Sequence, residues 1–386
     1  MIEPKRGWLQ RMSSETRAMV TARRVGSTSV WARGRLRQGM GLTLSLGVAL
    51  ASLAAPCVFM PRLAGAATPA SECLKKLRAN PKVAEVELKM VTLAPAGSQW
   101  AKSFQSWTDE ALSASDCRLW LRWYWNGGGG GDEVRMVADL RQGQRHGAAM
   151  TGVGLGEIYK DVLIFQAPGL FANWPELDAA RDAERPFFEA EFRKRGFEII
   201  GWGDVGAGKI MTVGFPVRRP EDLKGRGAWH LPGDPVAPKL LAKLGAKARP
   251  TSIGEVGSHL GKDIQAIASA PYVSEQLQLA SKITNITVIT PVFITGALVI
   301  KKEMLDAMPD DLRAIFQSTG KKAAETLTKT IRFQDGEALK RMKQTKEVYQ
   351  PNAEDMKAWQ EAFREARMSL RGAPFTPEVF DRIVKH

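Results

Sequence analysis

Three residue patterns in this 386-residue chain could carry chemistry. The first is Gly201-x-Gly203-x-x-Gly206, which follows a strand-like run and has Glu221 near the offset of a ribose-binding acid. Dinucleotide binding needs a helix N-terminus at that turn to hold the pyrophosphate. Residues 209–216 (KIMTVGFP) instead read as a strand ending in proline, so no nucleotide site is expected. The second pattern is the run of five glycines at 127–131, which lacks the Gly-Lys-Ser/Thr end of a phosphate loop and is expected to make a tight turn. The third is the small set of sulfur and imidazole groups. Cys73 and Cys117 lie outside any Cys-x-x-Cys, and His146, His230, His259 and His386 are too scattered to complete a zinc site. No metal or other cofactor is expected. No nucleophile or paired carboxylate with a base can be assembled from spacing. Trp100, Trp107, Trp120, Trp123 and Trp125 fall at helix and strand core positions.

Charge excludes a further class. The chain carries +14, but ten basic and only two acidic side chains precede residue 67, so +6 remains beyond it. With no basic stripe interleaved with aromatics, nucleic acid is not an expected partner. Residues 40–60 are uncharged and Ala64-Gly65-Ala66 supplies small residues after them, the order of a secretory leader cleaved near Ala66. A retained anchor is the alternative, since such a run just spans a bilayer. In an exported chain Cys73 and Cys117 either pair or stay free, and the sequence leaves both open.

The elements that must position a site alternate between strand and helix. Residues 85–92 alternate as a strand, and Ser98 then caps a helix carrying Trp100, Phe104, Trp107 and Ala111. Residues 118–125 read as a second strand, Asp132 as the cap of the next helix, and 146–153 as a third strand. A helix over 176–195 and a strand over 197–202 follow. A second series includes a strand near 227–231, a helix entered at Asp234-Pro235 and stopped by Gly245, and a Ser252-x-x-Glu255 capping box. A helix over 271–281 and strands over 288–300 precede a helical stretch from 309 to about 344. The pattern is α/β, with helices on the faces of parallel or mixed sheets. An exported α/β protein without catalytic groups is expected to bind a ligand rather than transform one.

Residues 123–150 (WYWNGGGGGDEVRMVADLRQGQRHGAAM) resemble the solute receptors of TRAP transporters, the dicarboxylate-receptor-like DctP family. Residues 88–100, 157–171 with Ala167-Pro168-Gly169-Leu170-Phe171, 219–225, 236–245 and 305–312 agree in the same order. The resemblance covers about 86–370 and implies a two-lobed class II periplasmic-binding-protein fold with crossing strands and a long bridging helix. It also implies a small organic solute as ligand, delivery to the small and large subunits of a membrane permease, and action as a periplasmic monomer. The implied division is a leader to 66, a first lobe over 86–212, a second over 213–290, return strands over 291–308 and helices over 309–386.

One departure bears on the ligand. The family places a carboxylate-binding Arg a few residues after Asp-Leu-Lys-Gly, and after Asp222-Leu223-Lys224-Gly225 that position holds Trp229. The resemblance further implies ligand-facing roles for Leu93, Thr151 and Lys209, with Ser269, Ala270 and Tyr272 on the far cleft wall. Arg226 lies at odd separation from Trp229 and is expected to face the other way. Two readings follow: a ligand that is aromatic, apolar or without a carboxylate, or a carboxylate anchored by Lys209.

Overall fold

The computed structural model describes residues 68–129 and 131–384, so the expected leader and its cleavage site lie outside the described residues. Helix α1 (Ala70–Ala79) leads to β1 (Val86–Thr92) and α2 (Gln99–Ala114), whose Ser98 cap accepts the Ala101 N–H at 3.3 Å. Strand β2 (Leu119–Tyr124) ends in a turn with positive φ at Asn126, Gly127, Gly128 and Gly129, and Asp132 then caps α3 (Glu133–Arg141). Strand β3 (Gly147–Thr151) stops earlier than expected, because the small residues after it start α4 (Gly152–Ile158). Helix α5 (Trp174–Lys194) precedes β4 (Phe197–Ala207), which runs five residues past the expected end.

The remaining elements mostly belong to a second sheet. They are β5 (Lys209–Thr212), β6 (Gly227–His230), α6 (Ala237–Lys243), β7 (Lys247–Pro250), α7 (Ile253–His259), β8 (Ala266–Ser269), α8 (Pro271–Gln276) and β9 (Asn285–Thr287). Strand β10 (Phe293–Lys301) returns to the first sheet, followed by α9 (Lys302–Asp306), the 34-residue α10 (Asp310–Lys343), β11 (Glu347–Tyr349), α11 (Ala353–Met368) and α12 (Pro377–Ile383). Asp234 accepts the Val236 and Ala237 N–H groups ahead of α6. The expected capping box at Ser252 does not form, because its hydroxyl donates to the Glu255 carboxylate rather than capping the backbone. The expected helix over 271–281 is broken at Gln278, whose φ is 59°.

The first sheet has the order β2-β1-β3-β10-β4 and the second β11-β9-β5-β8-β6-β7, each with parallel and antiparallel pairs. Two short passages cross between them, from β4 to β5 at Gly208 and from β9 to β10, and α10 then carries the chain across a third time to β11. The two passages are tied together where the Gly208 N–H donates to the Val292 carbonyl at 2.9 Å. Residues 209–212, expected in the first lobe, therefore pair in the second sheet. Two lobes follow, each an α/β layer around one sheet.

Helix α10 joins them, and the three spaced glycines explain how. All three lie within β4 itself. A Cβ at Gly201 would stand 2.5 Å from the Ala324 Cβ, and one at Gly206 (φ 147°) would stand 2.4 Å from the Ala270 Cβ. The pattern that resembles a nucleotide fingerprint thus lets α10 and α8 approach a strand. Farther along, Asp178 and Arg181 of α5, Asp204 of β4 and Arg332 of α10 form a neutral network with contacts of 2.6 to 2.8 Å. Asp335 of α10 accepts the backbone N–H groups of Ala207 and Tyr272, both at 3.0 Å, and so holds the joint between the lobes. The pair Cys73 and Cys117, left open by the sequence, forms a disulfide joining α1 to the turn after α2. Among the described residues no helix is long and apolar enough to cross a membrane.

Candidate functional site

Strands β1 and β3 are parallel neighbours, and the C-terminal ends of such strands are the place where open α/β sheets hold ligands. From β1 the chain leaves through Thr92, Leu93, Ala94 and Pro95, and from β3 it turns at Thr151 into α4. These residues, with Trp100 and Phe104 of α2, line a cavity of about 110 Å³. Gly201 and Gly203 of β4 and Ala324 and Leu327 of α10 form its inner wall. The second lobe closes it with Ile253 of α7 and with Val273 and Leu277 at α8. A second cavity of about 270 Å³ shares Leu93, Pro95, Ile253 and Leu277 and opens outward past Asn126, Gln276 and Gln278.

The inner cavity is apolar in effect as well as in composition. Its two carboxylates are already engaged. Glu133 is buried and accepts the Thr151 N–H and hydroxyl at 2.6 Å each and the Gly154 N–H at 2.8 Å. Burial pushes its pKa up, against the pull of those three donors. Asp204 is held by Arg181 and Arg332, both at 2.7 Å. The Thr151 hydroxyl spends its proton on Glu133 and accepts the Val153 N–H, while the Thr92 oxygen accepts the Ala94 N–H at 3.2 Å. Among the described residues no Lys or Arg lines either cavity.

Leu93 and Thr151, expected at the ligand, are both in the inner wall. The other five expected residues stand outside it. Trp229 is half-buried against the apolar cluster of the second lobe that includes Val256, Leu260 and Ile267, and its indole N–H donates to the Thr251 carbonyl at 2.8 Å, two residues before Ile253. Arg226 lies over the Phe215 ring on the other face, as the strand alternation requires. The Lys209 ammonium is bonded to the Thr290 hydroxyl near Asp335, and burial pulls its pKa down. Ser269 and Ala270 are fully buried at the joint, and the Tyr272 ring lies 5.4 Å from that of Trp100, behind the wall. Ile253, Val273 and Leu277 were not among the expected site residues. No periodic signal separates Ile253 from the core residue Val256, since positions three apart share a helix face. Among the described residues no group of His, Cys, Asp and Glu could hold a metal.

The family model described as bacterial extracellular solute-binding protein, family 7 (DctP) matches residues 90–369. No curated protein matches the chain. Among solved structures, a TRAP periplasmic solute-binding protein of Ralstonia eutropha with bound (S)-2-acetolactate is similar at 19% identity and a TM-score of 0.71, over 78% of this chain and 99% of that one. One of Sulfurospirillum deleyianum with bound succinate is 16% identical with a TM-score of 0.71, over 78% and 100%. A Bordetella pertussis extracytoplasmic solute receptor binding pyroglutamic acid is 16% identical with a TM-score of 0.70, over 78% and 100%. At these identities the likeness establishes a common two-lobed fold.

Proposed function

Because the chain belongs to the bacterial extracellular solute-binding proteins of family 7, we propose that it is the periplasmic receptor of a TRAP-type transporter. In this reading it takes up a small organic solute between lobes that meet at Gly208 and delivers it to the two membrane subunits of a permease. The supporting observation is the inner cavity, which has walls from both lobes and lies at the ends of β1 and β3. Closure of the lobes on the solute follows from the contacts each lobe contributes.

The similar solved receptors named above hold small acids. In this reading Trp229 takes the place of the carboxylate-binding Arg, and among the described residues no Lys or Arg lines the cavity, so the proposed ligand is apolar or aromatic and lacks a carboxylate. Lys209, the alternative anchor, is engaged with Thr290 at the joint. The test is native mass spectrometry of the protein purified from the periplasm, followed by thermal melting with the recovered compound added back. One small molecule per chain that raises Tm supports the reading. Absence of any bound compound, with no shift from a broad metabolite panel, refutes it.

A further inference from the structure

The two cavities share Leu93, Pro95, Ile253 and Leu277, which stand as a collar between them. Their chemistry differs. Inside the collar the Glu133 and Asp204 carboxylates and the Thr151 hydroxyl are already bonded within the protein and the Thr92 oxygen accepts an N–H. Among the described residues only the Thr92 hydroxyl proton and the Trp100 indole N–H remain as side-chain donors in the wall, and an entering polar group would lose water for little return. Outside it stand amides with unused capacity. Gln276 accepts the Gln99 N–H through its oxygen, which leaves its NH₂ group without a protein partner, and neither the Asn126 nor the Gln278 side chain makes a hydrogen bond among the described residues. Asn126 belongs to the first lobe and Gln278 to the second, each at a left-handed turn beside the collar.

Resting on the receptor reading above, we infer that the solute is amphipathic and uncharged, with an apolar body inside the collar and a neutral polar head among Asn126, Gln276 and Gln278. The amides offer both donors and acceptors, which suits a carboxamide, hydroxyl or ketone, whereas a carboxylate would find no cation to offset its desolvation. The inner volume of about 110 Å³ is somewhat below the 150 Å³ that admits benzene, room for roughly four to six carbons. A head spanning amides from both lobes also couples occupancy to closure.

The test uses the full-length exported protein and two series of probes, straight-chain primary amides from acetamide to octanamide and the matching carboxylates, with affinity read by calorimetry. Amide affinity should rise about fourfold per methylene until the inner cavity is full and then level off. Each carboxylate should bind at least tenfold more weakly than its amide. Val273→Phe, which fills the cavity, should move the plateau to shorter amides, and Leu327→Ala, which enlarges it, to longer ones; melting of each apo variant confirms folding. Carboxylates that bind more tightly than amides, amides with no chain-length dependence, or a plateau unmoved in folded Leu327→Ala would overturn the inference. The receptor reading is judged separately: a co-purified solute that induces lobe closure in small-angle scattering upholds it even where the amide series fails.

Discussion

Replacing Gly201 by alanine sets a methyl group 2.5 Å from the Ala324 Cβ of α10, where ordinary carbon contacts begin near 3.4 Å. Strand and helix must separate by roughly 1 Å, or the joint must twist, and overpacking of this kind costs about 1 to 3 kcal/mol. Relief of the clash by Ala324→Gly provides the control. Alone, that change costs about 1 kcal/mol through helix propensity, plus the loss of one packed methyl. Together the two substitutions should cost less than their sum by about 1 to 2 kcal/mol, because each residue is the other's neighbour. Urea unfolding gives the four stabilities from midpoint and slope. A Gly201→Ala protein within about 0.5 kcal/mol of the parent, or a double variant additive within that margin, would refute the account of the spaced glycines as a helix-packing groove.

The disulfide closes a loop with a sequence separation of 44, so replacing Cys73 and Cys117 by serine should lower stability by about 4 kcal/mol; two free thiols in unfolded, unreduced protein would contradict the pairing. Asp178 has its pKa held down chiefly by its hydrogen bonds to Arg332. Its contribution is therefore present above the unfolded carboxylate value near 3.9 and lost as pH falls through the lower folded value. Asp178→Asn should remove that part of the acid dependence of the urea midpoint, by under about 1 kcal/mol given its exposure, and an unchanged acid limb would count against the network. Trp229→Ala should weaken binding of the native solute about tenfold or more while the apo protein stays folded, because Thr251 and the nearby Ile253 wall lose their tether. Calorimetry showing unchanged affinity alongside a large drop in apo Tm would make Trp229 a core residue only.

Local rules carried much of the architecture. The cap residues Ser98 and Asp132 announce their helices because a short polar side chain satisfies N–H groups that the helix itself leaves unpaired. The order of motifs from Leu88 to Leu312 carried the two-lobed family fold. Alternation along a strand was enough to set Arg226 opposite Trp229. What the sequence could not supply were contacts between residues far apart along it. The Arg332–Asp178 pair spans 154 positions and the Asp335 bond to Ala207 spans 128, and neither leaves a periodic trace. The same glycine spacing suits a pyrophosphate turn or a helix lying across a strand, and only the path of α10 distinguishes them. The motif order pointed to Leu93 and Thr151, which line the cavity, whereas Ile253, Val273 and Leu277 resemble core positions in short helices until the lobes are brought together. Sequence spacing determines which face of an element is apolar; which other element meets that face, and whether a cavity remains between them, is decided by tertiary packing, where a methyl group or its absence sets the distance.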